Sequence, residues 1–393
     1  MSTAPASAPT LRAVTRAIDN PKDLLDGLGP DGFAWLHDGV GLVTAGCAAR
    51  VSVELAAVTL ASIDHEDDCG WSGSGPLAVG ALPFDNDEAA EVILPARIMG
   101  RTGDGRSWIT ELGEPWQISP PAPDYPDVFT VRELTSRTAW NEAIEQILAK
   151  IAKGTLEKMV LARQVEIVAD RPFDHRTVLD RLRIQQPGCF IYAANGFVGA
   201  SPELLVRRRG DQIESAPMAG TVAGTDADAV EFLRQSPKDA REHALVVSAI
   251  LAGLTPYCEH LDAATEPEVA VLATIAHLVT PITGQLFLPA PDALTLARAL
   301  HPTPAVGGTP VDAARRLITQ LEGPTRGCYA GPVGWVDSRG DGEWALALRG
   351  AKIDGPRALL HAGAGIVTGS DPETEWHETE AKFESMIRAL VRP

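Results

Sequence analysis

Hydrophobic periodicity along this chain switches between a repeat of two and a repeat near 3.6 without settling into alternation. That irregular order restricts the fold more than any other feature. Lys158-Met-Val-Leu-Ala-Arg-Gln-Val-Glu-Ile-Val168 reads as a strand, with Met159, Leu161, Arg163, Val165 and Ile167 on one face and Lys158, Val160, Ala162 and Gln164 on the other. It follows directly on a helix over 138–153, where Trp140, Ile144, Ile147 and Ile151 recur at helical spacing and Gly154 is a stop signal. Further strands are expected near 51–55, 190–198, 204–208, 331–337, 343–352 and 357–362. Ser236-Pro-Lys-Asp239 supplies a cap, a first-turn proline and an acid for a helix running to about Leu254, and Asp371-Pro372 opens a last helix to about Leu390. Strands and helices in mixed order argue for an α+β fold rather than a doubly wound βαβ sheet. No internal repeat is visible. Residues 1–12 read as a loose tail and Pro120 to Pro126 as a connector.

Charge sets the next constraint. The formal net charge of -18 disfavours non-specific binding to nucleic acid, which needs clustered Lys and Arg. An anionic substrate would have to meet positive charge concentrated locally by an Arg, a Lys or a metal ion. Lysine is scarce, 7 against 27 Arg, so each lysine is worth locating. The five cysteines are odd in number, far apart and without a C-x-x-C pair, which suggests neither a disulfide scaffold nor a zinc site and fits a reducing cytoplasm. The first dozen residues lack the apolar core of a signal peptide, and no stretch of about 18 uncharged apolar residues implies a membrane span.

Two helices carry the same device. Asp239 and Glu242 lie three apart on one, Glu375 and Glu378 three apart on the other, so each pair shares a helix face. Like charges at that spacing repel, and a cation such as Mg²⁺, which favours oxygen ligands, is one reason to tolerate them; an ordinary solvated face is the commoner one. Lys158, at the start of a strand with apolar neighbours, is either a desolvated base or a strand-end lysine reaching water. Glu203, after the turn-forming Ser201-Pro202, is either a buried proton donor or a surface carboxylate. Met218-Ala-Gly-Thr221 and His361-Ala-Gly-Ala-Gly-Ile366 read as tight small-residue loops whose backbone N–H groups can cradle carboxylates. The glycines at 363, 365 and 369 give G-x-G-x-x-x-G well ahead of the helix, which rejects a dinucleotide fingerprint. Arg349 ends a mostly apolar run and needs an anion from the protein or from a ligand.

Taken in order, ten runs resemble the chorismate-utilising enzymes, a family of isochorismate, salicylate, anthranilate and aminodeoxychorismate synthases. They are Lys158-Met-Val-Leu-Ala-Arg163, Gly199-Ala-Ser-Pro-Glu-Leu-Leu205, Met218-Ala-Gly-Thr221, Ser236-Pro-Lys-Asp-Ala-Arg-Glu-His243 and His277-Leu-Val-Thr-Pro281, then Leu300-His-Pro-Thr-Pro-Ala-Val306, Arg326-Gly-Cys-Tyr-Ala-Gly331, Ala345-Leu-Ala-Leu-Arg349, Ala362-Gly-Ala-Gly-Ile366 and Ser370-Asp-Pro-Glu-Thr-Glu-Trp-His-Glu-Thr379. Gly80-Ala-Leu-Pro-Phe84 is a weaker match, and residues 1–70 match little. The resemblance implies one large catalytic unit over 13–393, with the motifs in about 130–391: two stacked antiparallel sheets, helices outside and a deep cleft. It implies that Glu242 and Glu378 bind Mg²⁺, which holds the ring carboxylate of chorismate, with Asp239 and Glu375 behind them or joined through water. Arg349 and Tyr329 match positions that bind the enolpyruvyl carboxylate, with the backbone near Gly363. Ala219, Gly220 and Thr221 would line the ring-carboxylate side, and His277 would lie close to the ring.

The family divides by nucleophile. Lys at position 158, where ammonia-using members usually carry Gln, implies attack of water at C2 with loss of the C4 hydroxyl. Lys158 would deprotonate the water and Glu203 would protonate the departing hydroxyl, so burial has to leave both groups neutral, too far apart for a direct ion pair. Members that go on to release pyruvate usually carry Thr at the position of Ala305; His301-Pro-Thr-Pro-Ala-Val306 instead matches the isochorismate synthases. A salicylate synthase and a subunit of an ammonia-using amidotransferase are the alternatives. Ala276 and Cys328 depart from the family, which often has an aromatic residue at each place. Many relatives act as monomers, which is the expectation here, and a downstream isochorismate-using enzyme is the partner to expect.

Overall fold

The computed structural model describes residues 11–85, 88–113, 125–324 and 326–391. The tail 1–10 and most of the expected Pro120–Pro126 connector lie outside the described residues; Arg12 already begins a strand, Arg12–Ile18. The fold is α+β, with eight α-helices among the described residues and three sheets of thirteen, nine and three strands. Among the described residues every strand pair is antiparallel except Arg12–Ile18 with Asp64–Asp67.

The thirteen-stranded sheet takes strands from both ends of the chain. Lys158–Ala169 pairs with Arg357–Ile366, and further along Phe190–Ala194 pairs with Ala34–His37. The nine-stranded sheet does the same, joining Pro332–Asp337 to Leu77–Ala81. One apolar cluster fills the space between the two sheets. Trp35, Met159 and Tyr192 come from the first, and Val79, Val206, Trp335 and Trp344 from the second. A hydrogen bond from Trp35 Nε1 to Glu343 Oε2 at 2.7 Å crosses that layer. The outer face of the first sheet is covered by helices His175–Gln185 and Pro372–Val391, through Val178, Leu182, Phe383 and Leu390 against Val165, Ile167 and Leu360.

Most expected elements fall where periodicity puts them: helices Arg137–Ala152 and Pro237–Leu254, and strands Lys158–Ala169 and Leu204–Arg209. Ser236 caps as its sequence implies, accepting from Asp239 N. Four expectations change. The run 51–55 is only the end of a strand, Ala49–Ser52, followed by a turn into helix Ala56–Ser62. The run 190–198 is a hairpin, Phe190–Ala194 and Phe197–Ser201, because Asn195 and Gly196 both take positive φ and turn the chain. The run 343–352 is two strands in different sheets, Gly342–Leu346 and Gly350–Asp354, broken at Arg349 with φ +48°. The two small-residue runs are strands, Met218–Ala223 and Arg357–Ile366, rather than loops. Small side chains serve close approach there: a Cβ on Gly363 would lie 2.8 Å from Val160 Cγ1 and 3.1 Å from Tyr329 Oη.

Candidate active site

A cleft of about 670 Å³, mouth included, opens where Val160, Gly363, the three-stranded sheet and the helices bearing Glu242 and Glu378 meet. Its lining holds Glu203, Ala219, Thr221, Glu242, His277, Ala305, Tyr329, Arg349, Gly363 and Glu378. Of the fourteen expected site residues, only Lys158, Gly220, Asp239 and Glu375 are absent from that lining, and each touches or pairs with a residue of this neighbourhood.

The helix bearing Glu378 is pinned to the sheet by a buried cation. The Arg163 guanidinium lies 3.8 Å from the Trp376 ring centroid and 4.8 Å from that of Phe383, and its Nε donates to Thr379 Oγ1 at 2.6 Å. Ser236 and Pro237 fix the start of the other helix. Lysines then meet the acids. Lys158, fully buried, places Nζ 2.8 Å from Glu242 Oε1, an ion pair without a well-directed hydrogen bond. Burial pushes the Glu242 carboxyl up, but the charges of Lys158, Lys382 and Lys238 outweigh it and hold the group below the usual carboxylate range. Lys382 Nζ lies 2.5 Å from Glu378 Oε1 and donates to Gly363 O at 2.9 Å. Lys238 Nζ lies 2.8 Å from Glu375 Oε1. Burial and then the Glu378 charge raise the Glu375 carboxyl, against the pull of Lys238. Asp239 instead accepts from Ser236 Oγ and from Thr221 N, the latter at 3.3 Å.

The four carboxylates are therefore distributed rather than gathered, and among the described residues no three acidic, His or Cys side chains form a ready-made metal cage. The donor set still suits a hard divalent cation, which is usually held by one or two carboxylates and completes its shell with water and substrate oxygens. Glu242 and Glu378 line the same cleft and offer only oxygen. Gly365 leaves the space that the Glu242 carboxylate uses, since a Cβ there would stand 2.3 Å from Oε1.

The opposite character appears around Arg349. Its Nη2 is 2.8 Å from His277 Nε2, and among the described residues it forms no ion pair with an acid, although the charges of Glu378 and Glu203 reach it. Burial lowers its pKa. Tyr329 stacks on His361 at 5.0 Å, and burial pushes its phenol up to about 12. Glu203 is 4% exposed; burial pushes its carboxyl up to about 8, against a weak 3.4 Å bond from Met218 N and the nearby charges of Lys158, Arg349 and Lys382. It carries its proton at neutral pH. Lys158 and Glu203 form no ion pair with one another.

Sequence reasoning missed Lys382, Lys238, His361 and Gly365. The lysines had a signal in their rarity, and Lys382 follows Glu378 by four residues, a helical pairing distance. His361 and Gly365 lay inside a quoted motif without a role.

A family model described as chorismate binding enzyme matches residues 107–391. The chain belongs to the chorismate-binding enzyme family. It is 38% identical over 337 residues to isochorismate synthase DhbC of Bacillus subtilis, covering 81% of each protein. The solved structure of MenF, the menaquinone-specific isochorismate synthase of Escherichia coli, superposes with a TM-score of 0.84 at 28% identity, covering 98% of this chain and 95% of that one. That of DhbC from Bacillus anthracis gives 0.81 at 32% identity over 93% and 98%. Among the described residues no helix is long and apolar enough to cross a membrane.

Proposed function

We propose that this chain is an isochorismate synthase, an isomerase that converts chorismate to isochorismate. The observation that carries the reading is Glu203: a buried carboxyl whose pKa burial pushes up to about 8, in the cleft that also holds Glu242, the partner of the buried Lys158. Lys158 Nζ takes a proton from water as the water oxygen bonds to C2. The ring double bonds shift, the C4–O bond breaks, and Glu203 gives its proton to the departing hydroxyl, which leaves as water. One water enters and one leaves, so substrate and product are isomers. The proton gained by Lys158 must then return to Glu203 before the next turnover. Lys158 accepts a proton only as the free amine, so its pairing with Glu242 is relaxed in the working enzyme. Arg349 and Tyr329 hold the enolpyruvyl carboxylate, with Gly363 admitting it close to the backbone; Ala219, Gly220 and Thr221 border the ring carboxylate, and His277 lies beside the ring. Glu242 and Glu378 would hold Mg²⁺, which supplies positive charge to the ring carboxylate. Ala305 brings no hydroxyl to the ring, which supports a reaction that stops before pyruvate is lost.

The catalytic unit in this reading is 13–393. Five cysteines without a disulfide fit a reducing cytoplasm. The product would feed an isochorismate-using enzyme of siderophore or menaquinone synthesis. Incubation of the enzyme with chorismate and Mg²⁺, read by chromatography, tests the assignment: isochorismate is expected. Salicylate with equimolar pyruvate would make it a salicylate synthase, and turnover only with ammonium would make it an amidotransferase subunit.

A further inference from the structure

Arg163 is a cation buried where the proposed reaction has no use for one. It belongs to the strand that opens with Lys158, is 1% exposed and does not line the cleft. Burial lowers its pKa against the charge of Glu133, a half-exposed carboxylate 3.8 Å from Nη1. Nη1 has no hydrogen-bond partner among the described residues. Stability does not explain such a residue, since an apolar side chain of similar volume avoids the desolvation cost and is often neutral or better. Its removal would strand no buried group either. Thr379 Oγ1, which accepts from Nε, still donates to Trp376 O at 2.7 Å. What the guanidinium supplies is direction: it lies over the Trp376 and Phe383 rings and bonds Thr379, so it grips three residues of helix Pro372–Val391 at helical spacing.

Trp376, Thr379 and Phe383 form one stripe of that helix. Glu378 and Lys382, which line the cleft, form a second, roughly a third of a turn around the axis. The rotation of the helix about its axis therefore decides where the Glu378 oxygens stand. A carboxylate about 6 Å from the axis moves about 2 Å for a rotation of about 20°. That is about the length of a whole bond to Mg²⁺, whose near-octahedral geometry tolerates no such error. Apolar packing is non-directional and resists rotation weakly, whereas a hydrogen bond to the residue next to Glu378 is directional. We propose that Arg163 is a positioning residue for the cation end of the cleft: it fixes the rotation of the last helix through Trp376, Thr379 and Phe383, and so holds Glu378 in place for a divalent cation. The inference rests on the reading of Glu378 as a ligand of that cation.

The test uses the full-length enzyme with substitutions Arg163→Met, Arg163→Lys, Thr379→Val, Leu390→Ala and Glu378→Gln. Mn²⁺ affinity in the absence of substrate is measured by electron paramagnetic resonance, the Mg²⁺ concentration for half-maximal rate by steady-state kinetics, and stability by urea unfolding. Arg163→Met weakens Mn²⁺ binding about ten- to hundredfold, with a urea midpoint at or above that of the wild type. The half-maximal Mg²⁺ concentration rises by the same factor, and saturating Mg²⁺ restores kcat to within about threefold. Arg163→Lys, which keeps the charge but loses the planar fork, falls between. Thr379→Val removes only the acceptor, weakens Mn²⁺ binding about three- to tenfold, and decides the matter if Arg163→Met does not fold. Leu390→Ala, a buried residue roughly three turns further along the same helix, lowers the midpoint yet leaves Mn²⁺ affinity within about twofold. Wild-type Mn²⁺ affinity in folded Arg163→Met or in Thr379→Val, or a loss in Leu390→Ala as large as in Arg163→Met, overturns the proposal. Unchanged Mn²⁺ affinity in Glu378→Gln removes its premise instead, and so separates a failed ligand assignment from a failed positioning role.

Discussion

Replacing Glu203 by Gln removes the proton donor and a buried ionisable group in one step, and the two consequences carry opposite signs. The carboxyl has an ordinary pKa of 4.5 when unfolded and about 8 when folded, so below pH 4.5 both states hold the proton and folding is unaffected by it. Between pH 4.5 and about 8 the unfolded chain ionises while the folded one stays protonated. Folding then takes up a proton, and stability falls by about 1.4 kcal/mol per pH unit. Above about pH 8 the loss is complete. An interval of about 3.5 units corresponds to roughly 5 kcal/mol, an upper bound because the site can relax around the charge. Gln cannot ionise, so the stability gap between variant and wild type widens with pH in the variant's favour, by about 2–4 kcal/mol from pH 6 to 9. Activity moves the other way: loss of a positioned acid lowers kcat about 10²- to 10⁴-fold, and the wild type's fall in kcat above about pH 8 disappears from the residual rate. Urea unfolding at pH 6, 7.5 and 9, with kcat measured across the same range, reads both. A stability gap that is the same at pH 6 and pH 9 would refute a buried, proton-loaded carboxyl, whatever happened to the rate.

Three further substitutions probe the rest of the cleft. Gly365→Ala puts a methyl group 2.3 Å from Glu242 Oε1; Mn²⁺ affinity should fall by at least about tenfold while overall stability drops by only about 1–3 kcal/mol, and wild-type affinity would mean that the carboxylate does not need that space. Lys158→Ala should stop turnover yet leave chorismate binding, followed by calorimetry, within about threefold, because the carboxylate receptors are elsewhere; loss of binding alone would assign the lysine a structural role. Ala305→Thr returns a hydroxyl beside the ring and should raise pyruvate release, scored with lactate dehydrogenase, and an unchanged product mixture would discount that position.

Local chemistry made much of this molecule legible, and contacts between distant segments account for what it did not. The Ser236 cap, the Trp140–Ile144–Ile147 stripe and the two-residue alternation from Lys158 each state their element within a few residues. The hairpin at Asn195–Gly196 was equally local and was overlooked because the flanking apolar residues run on without a break; the turn lies in two backbone angles, not in hydropathy. The break at Arg349 is different in kind. Ala345 to Arg349 reads like an uninterrupted strand, and nothing in those residues states that the next five pair in another sheet. Small residues misled for a related reason: Gly363 and Gly365 look like a loop until Tyr329 and Glu242, far away in sequence, occupy the space where their side chains would be.

The acidic pairs show where spacing stops and electrostatics begins. Spacing put Asp239 with Glu242 and Glu375 with Glu378, and symmetry then invited all four around one ion. Folding broke the symmetry through lysines. Lys158 went to Glu242, Lys382 to Glu378 and Lys238 to Glu375, while Asp239 accepts from Ser236 Oγ and from Thr221 N. A buried carboxylate left alone would protonate, as Glu203 does; at Glu242 the charges of Lys158, Lys382 and Lys238 outweigh burial and hold the group below the usual carboxylate range, whereas at Glu375 burial and the Glu378 charge win over Lys238. Glu203 forms no ion pair among the described residues, and burial outweighs the nearby charges of Lys158, Arg349 and Lys382 to load it with the proton that the proposed reaction has to deliver.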